Sequence, residues 1–414
     1  MRITLKSRTN LSKATVVLAV AMLLIGTAAA FADDWPVYRG PNHNGFSNET
    51  NWKADWGPAG PKKLWTKSIG VGFSSITVAD GRAYMTGNSG EKSGAKDTIF
   101  CVEANTGKEI WTRSYDCPLE PKYYEGGTLA SPTVDGKVVY TISKMGDLLA
   151  LDAITGSVIW AKNANKDLGF ELPTWHFSGS PMVVGDLLIF NLGTAGAALN
   201  KQTGQLVWDN GKGACGYATP VPCQIGAQET LAIGASETLV GVRPTDGKIL
   251  WKHPFVNEHK VTAADPIVSG DTVFASCGYN RGCIRIAIDG GKTNQIFDSR
   301  VMRNHMNCSM LYKDNIYGFD ESNLKCVEFK TGSEKWSEGS LGKGAMMMSS
   351  DGRMIIMSDQ GELAIAQADP AGFKAVARAQ ILPKGKCWTV PVLVNGKIYA
   401  RNAKGDVVCV DVSE

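Results

Sequence analysis

Five segments of this chain are written in one frame. In Ala150–Trp160 a small residue is followed by Asp152 two positions on, by Gly156 six on, and by Trp160 four after that glycine. Cys101–Trp111, Ala198–Trp208, Gly241–Trp251 and Cys326–Trp336 keep the same register. A frame that returns every 40–50 residues restricts the chain to architectures that stack one small unit many times, because a single unit cannot bury its own apolar face.

The unit is most legible around the second copy. Leu129–Gly136 reads as a short strand and turn, Lys137–Ser143 as a second strand, Asp147–Asp152 as a third and Ser157–Ala161 as a fourth. These runs are rich in Val, Ile, Leu and aromatic residues and are separated by Asp-Gly, Met-Gly and Thr-Gly turns, the pattern of a four-stranded antiparallel meander. No stretch carries a sustained helical period. Such a sheet is apolar on both faces, and a closed ring of them is an all-β propeller.

The tryptophans count the units. Trp65, Trp111, Trp160, Trp208, Trp251 and Trp336 mark outer strands, Phe297 ends a degenerate copy that starts at Ala287, and Val376 follows Gly372 in a worn eighth. Val410-Asp411 matches Leu151-Asp152, so the last unit lacks a fourth strand, whereas Trp65 has no first three strands before it. The two halves complete each other. The expected fold is an eight-bladed β-propeller of four-stranded antiparallel blades over residues 62–414, closed by the N-terminal strand Lys63–Ser68.

The motif residues have structural reasons. Each Gly sits where the turn before the last strand needs positive φ, and the Asp, Asn, Glu and Thr side chains beside it satisfy backbone groups of that turn. Each Trp would bury roughly 200 Å2 against the next blade, with its indole N–H seeking a backbone acceptor there.

The frame Ala-x-Asp-x-x-Thr-Gly-x-x-x-Trp resembles the tryptophan-docking repeat of the PQQ-like, or quinoprotein, eight-bladed propellers, over residues 62–414. That resemblance implies the fold. It implies two classes of function: a non-catalytic binding or scaffold protein like the outer-membrane-protein assembly propellers, or a PQQ-dependent alcohol or sugar dehydrogenase. The family's dehydrogenases resemble one another in an adjacent Cys-Cys pair stacked on the cofactor, and this chain has neither adjacent cysteines nor a Cys-x-x-Cys-His haem site. The scaffold reading is therefore preferred, with PQQ and Ca2+ as the cofactors of the alternative.

Residues 1–32 read as a secretory signal peptide: Arg2, Lys6, Arg8 and Lys13, then the apolar Ala14–Gly26, then Ala30-Phe31-Ala32 as cleavage site. No Cys lies near that site to take a lipid. The expectation is an exported protein, periplasmic or extracellular, with no integral membrane span after cleavage. Without the leader, 39 Lys and Arg face 40 Asp and Glu, which removes any electrostatic case for nucleic acid. Residues 33–61 lack any period and read as an irregular strap whose aromatics pack on the ring, with packing preferred over a ligand role for Arg39 and His43. The expected state is a monomer that binds a protein partner or small ligand at the channel mouth.

Ten cysteines in an exported chain suggest disulfides. Cys101, Cys326 and Cys409 occupy a column held elsewhere by Ala or Gly, so these read as buried thiols. Cys277 with Cys283, flanking a turn, and Cys215 with Cys223 are close enough in sequence to pair. No spacing suggests zinc. The Met-rich run Met346–Met348 with Met354 and Met357 reads as core filler.

In a propeller, concave sites form where the first strands meet the central channel. Aligned on the Ser-Pro position, those strands give a small column of Ala130, Gly179, Ala218, Ala264 and Cys308 and a polar column of Ser131, Ser180, Thr219, Asp265 and Ser309. Asp265 is the carboxylate among hydroxyls and the candidate general base or calcium ligand. Trp175, His176, Arg303, His305 and Asn307 lie just upstream in blades three and six and form the candidate set for a planar anionic cofactor, with the two His facing each other across the mouth. The plainer alternative is a hydrogen-bonded belt between inner strands, with the His capping loops.

Overall fold

The four strands expected for the second unit are present as Thr133–Asp135, Val138–Ile142, Asp147–Asp152 and Val158–Asn163, paired antiparallel in chain order. The computed structural model describes Met1 and residues 34–413, so the leader expected over residues 1–32 lies, but for Met1, outside the described residues. Seven further sheets repeat the meander, giving an all-β, eight-bladed propeller without a helix among the described residues. No helix there is long and apolar enough to cross a membrane.

The ring closes as expected. Lys62–Ser68 is the outermost strand of blade eight and pairs antiparallel with Asp406–Asp411, with Trp65 opposite Cys409. The same cross-strand position explains the small-residue column. Cys101, Ala150, Ala198, Gly241 and Cys326 each sit opposite the docking Trp of their own blade, beside a bulge that turns the ring outward.

Each docking ring then reaches the next blade. The indole nitrogens of Trp65, Trp111, Trp160, Trp208 and Trp336 donate to the carbonyls of Ala104, Ala153, Lys201, Pro244 and Asp369 at 2.7–3.1 Å. The motif glycine has a second reason beyond its backbone. Gly156 has φ 69°, and a Cβ there would stand 2.6 Å from the Trp111 ring, so any larger residue would push the blades apart. Trp251 is the exception. Its turn partner in blade five is shortened to Gly290-Gly291 between paired Asp289 and Lys292, and the buried Trp251 indole nitrogen has no acceptor among the described residues.

The strap does more than pack. Trp35 exchanges backbone hydrogen bonds with Val78 of blade one, and the carbonyl of Pro36 accepts from Val134 of blade two. Phe46–Ser47 then adds a parallel fifth strand inside blade seven, along Met348-Ser349, and Glu49 accepts from the backbone of Asn395 and Gly396 in blade eight. The strap thus spans one end of the channel, at the turns that join first and second strands.

All ten cysteines are free thiols, so neither of the two pairings that the spacing allowed is formed. Ser276, not Cys277, sits opposite Cys283, so the two thiols point to opposite faces of the sheet. Cys277 accepts a hydrogen bond from the Asn257 amide and Cys283 lies against Ser299. Cys215 is buried beside Phe170 and Leu192 in the core between blades two and three, while Cys223 packs with blade five. Cys101, Cys326 and Cys409 are fully buried, and Met346–Met348, Met354 and Met357 are core.

Candidate functional site

The inner strands form a belt around the channel. Ser75 N donates to Ser131 Oγ, Ser131 N to Ser180 Oγ, Ser180 N to Thr219 Oγ1, Thr219 N to Asp265 Oδ1 and Asp265 N to Cys308 Sγ, at 2.8–3.2 Å. In blade six the member is Cys308, one residue before the Ser309 expected from alignment. Ser309 instead turns its hydroxyl to Asn304 Oδ1.

Asp265 is 6% exposed, and its second oxygen lies 3.7 Å from Nη1 of Arg39, a strap residue that is 4% exposed. Arg39 Nη2 donates to the carbonyls of Asn44 and Ser309. Tyr38 lies beside it, its hydroxyl 3.8 Å from Cys308 Sγ. Burial raises the Asp265 carboxyl to about 6, outweighing the opposing pull of Arg39 and of the Thr219 amide. The strap therefore supplies both the floor of the channel and the counter-ion of its carboxylate.

Above this floor, at the end away from the strap, opens a cavity of about 520 Å3 whose wall is largely aromatic. Phe73 stacks on Trp388 with centroids 5.7 Å apart, and Tyr123 lies 5.8 Å from Trp175. Across the mouth Tyr279 stands edge-on between His259 and His305, at 4.6 and 4.7 Å. Phe73, Tyr123, Trp175, His259, His305 and Trp388 come from the loops between consecutive blades, and Tyr279 from the turn between the second and third strands of blade five. Asp265 is the one carboxylate among the lining residues, and no Lys or Arg lines the cavity.

The candidate set divides. Asp265, Trp175, His305 and Asn307 all line the cavity. His176 does not face His305: it is 3% exposed, with Nδ1 2.9 Å from the Tyr124 hydroxyl, and burial with Lys122 and Lys144 nearby lowers it to about 4. Its φ of 69° breaks the extended alternation on which the expectation rested. Arg303 is also turned away, held by Asp320 through Nε–Oδ1 at 2.6 Å and Nη2–Oδ2 at 2.8 Å. His305 Nδ1 lies 2.8 Å from Lys343 Nζ at the rim, and this pair holds Glu321 down to about 2, chiefly through the hydrogen bond from His305.

The residues present do not fit PQQ with Ca2+. A tricarboxylate ligand needs cationic partners in the cavity, yet Arg39 and Arg303 are both spent on buried carboxylates. A calcium ion needs several oxygen ligands, and the oxygen that Asp265 would offer already faces a guanidinium. No group of three or more His, Cys, Asp or Glu among the described residues is placed to hold a metal. Tyr38, Phe73, Tyr279 and Trp388 were not legible as site residues and Arg39 was read as packing, since none sits on a repeat position: Tyr38 and Arg39 belong to the strap, Phe73 and Trp388 to loops between blades, and Tyr279 to a turn within blade five.

The family model described as "Outer membrane protein assembly factor BamB" matches residues 47–221 and 217–338. The assembly factor BamB of Moranella endobia is 25% identical over 313 residues, covering 68% of this chain and 73% of that protein. The quinoprotein ethanol dehydrogenase of Pseudomonas aeruginosa is 28% identical over 162 residues, covering 35% of this chain and only 26% of that enzyme. Among solved structures, BamB of Moraxella catarrhalis superposes with a TM-score of 0.62 at 16% identity, over 85% of this chain and 100% of that one. Quinohemoprotein alcohol dehydrogenase of Comamonas testosteroni gives 0.64 at 13% identity, over 94% and 82%. At such identities these two superpositions establish the fold alone. With the eight blades, the family match places the chain: it belongs to the PQQ-like propeller family described as outer membrane protein assembly factor BamB.

Proposed function

We propose that this protein is an exported, non-catalytic scaffold that holds a protein partner at its aromatic mouth, in the manner of the assembly factors it resembles. One observation carries the non-catalytic half. The single carboxylate lining the cavity is occupied on both oxygens, by the Thr219 amide and by the Arg39 guanidinium. A general base acts with a lone pair turned to substrate, and here each oxygen is turned to a protein donor or cation, so proton abstraction would have to compete with the pairing to Arg39. The binding half rests on the aromatic wall and on Tyr123, which is 97% exposed at its lip.

The test has two arms. A photo-crosslinking amino acid at position 123, in the protein expressed in its own host, is expected to trap a polypeptide, and the trap is expected to be lost with Trp175→Ala plus Trp388→Ala. Purified protein given PQQ and Ca2+ is expected to gain no stoichiometric chromophore. Dye-linked oxidation of an alcohol or sugar after that addition would overturn the proposal.

A further inference from the structure

The sign of the groups that line the mouth narrows what it takes from a partner; this rests on the reading of the mouth as a protein-binding site. Three lining hydroxyls have their protons committed to the protein. Ser75 Oγ donates to the Val390 carbonyl, Ser178 Oγ to that of Tyr217 and Thr389 Oγ1 to that of Phe73, so toward a ligand these oxygens only accept. Asp265 adds a carboxylate. It lines the cavity and its partner Arg39 does not, so the negative member of that pair is the one a ligand meets. The belt hydroxyls of Ser131, Ser180 and Thr219 each accept one backbone N–H and keep both a proton and a lone pair, so they set no sign.

The rim adds two features. The half-buried Trp175 and Trp388 carry indole N–H groups, donors only, with no hydrogen-bond partner among the described residues. Their rings, with those of the neighbouring tyrosines, present π-systems whose faces attract cations. Lys386 shows this once already, with Nζ 4.3 Å from the Trp388 centroid and an ion pair to Glu125 at 2.9 Å. Lys343 is paired in the same way with Glu321, and Lys122 donates to the Thr174 carbonyl, so these lysines are engaged by acceptors of the protein.

The complement is a cation with several N–H donors, carried on a chain that leaves carbonyls at the rim. An arginine side chain of a polypeptide meets both conditions. Its guanidinium spreads five donors in one plane, lies flat on aromatic rings and is weakly hydrated, while its own peptide carbonyls stay behind for Trp175 and Trp388. The lysine ammonium has three donors and holds its water more strongly. A neutral ligand, a sugar included, has no net charge for the carboxylate and the ring faces to attract. A cavity of about 520 Å3 is large enough for one such side chain.

We infer that the aromatic mouth takes an arginine side chain of the protein partner, with its guanidinium toward Asp265 and the hydroxyls of Ser75, Ser178 and Thr389.

Fluorescence anisotropy on the full-length protein tests this with a labelled Gly/Ser decapeptide carrying one central arginine, and with the same peptide carrying lysine or citrulline there. Citrulline keeps the length and planar end of arginine and removes the charge. The arginine peptide is expected to bind at least about ten-fold more tightly than the citrulline peptide, and more tightly than the lysine peptide. Thr389→Val, which keeps the side-chain shape and deletes one acceptor, and Trp175→Leu, which deletes one ring, should each weaken the arginine peptide about three- to ten-fold. Affinities for arginine and citrulline within about two-fold of each other, no binding of the arginine peptide, tighter binding of lysine than of arginine, or unchanged affinity in both variants would each overturn the inference. If the crosslink at position 123 still captures a polypeptide while the charge preference is absent, only this inference fails. Loss of both results removes the underlying reading as well.

Discussion

Arg39 and Asp265 form an ion pair between a strap and an inner strand that lie 226 positions apart in the chain, with both side chains almost wholly enclosed. Removing one member leaves the other charge buried alone. Arg39→Met is expected to destabilise the protein by about 3–5 kcal/mol at pH 7, and adding Asp265→Asn should recover a good part of that. Urea unfolding of the two variants decides it; equal stabilities for wild type and Arg39→Met would show that the pair is inert.

The same carboxylate gives a pH signature. Its ordinary value is 3.8 and burial raises it to about 6, so the folded state holds the proton more tightly than the unfolded one. The stability this contributes is fully present below about pH 3.8 and lost as pH rises through about 6, an amplitude on the order of 3 kcal/mol. Relative to wild type, Asp265→Asn should therefore gain stability between pH 4 and pH 7. A pH-independent difference between the two, measured by urea midpoints, would refute the raised value.

Trp111 and Trp251 should respond differently to loss of the indole nitrogen. Trp111→Phe breaks the bond to the Ala153 carbonyl and is expected to cost about 1–2 kcal/mol beyond the loss of ring area. Trp251→Phe removes a buried donor that has no acceptor, so the polar part of its cost vanishes. Thermal melts of the two variants should separate them by about 1–3 °C, with Trp251→Phe the higher.

Thiol chemistry checks the cysteine placement. Denatured protein, unfolded without reductant, is expected to titrate all ten thiols, and Cys277→Ser should show no mobility change on a non-reducing gel. A bridged Cys277–Cys283 would lower the count by two.

Much of the fold was legible because the repeat carries its own register. Once Ala150–Trp160 is matched to its copies, the turns, the docking strands, the small column and the closing strand follow, since each is set by local spacing. The mouth was legible only in part. Alternation correctly joined Ser131, Ser180, Thr219 and Asp265, which lie on extended backbone, and failed at His176, where φ turns positive, and at blade six, where the belt slips from Ser309 to Cys308. Arg39 escaped for another reason. It belongs to a segment without period, and its partner is chosen by the path of the strap across the ring, which no local spacing encodes.

Trp65 faces Cys409, 344 residues later, and that pairing has a cost in time. Until both strands exist and meet, blade eight has an unpaired edge and the Trp65 ring has no blade of its own. Ring closure depends on one of the longest-range pairings in the molecule, the kind that forms slowly and leaves apolar strand edges open to other chains meanwhile. If the chain is exported unfolded, as proposed, holding that edge from aggregation until the circle shuts becomes a task for the compartment that receives it.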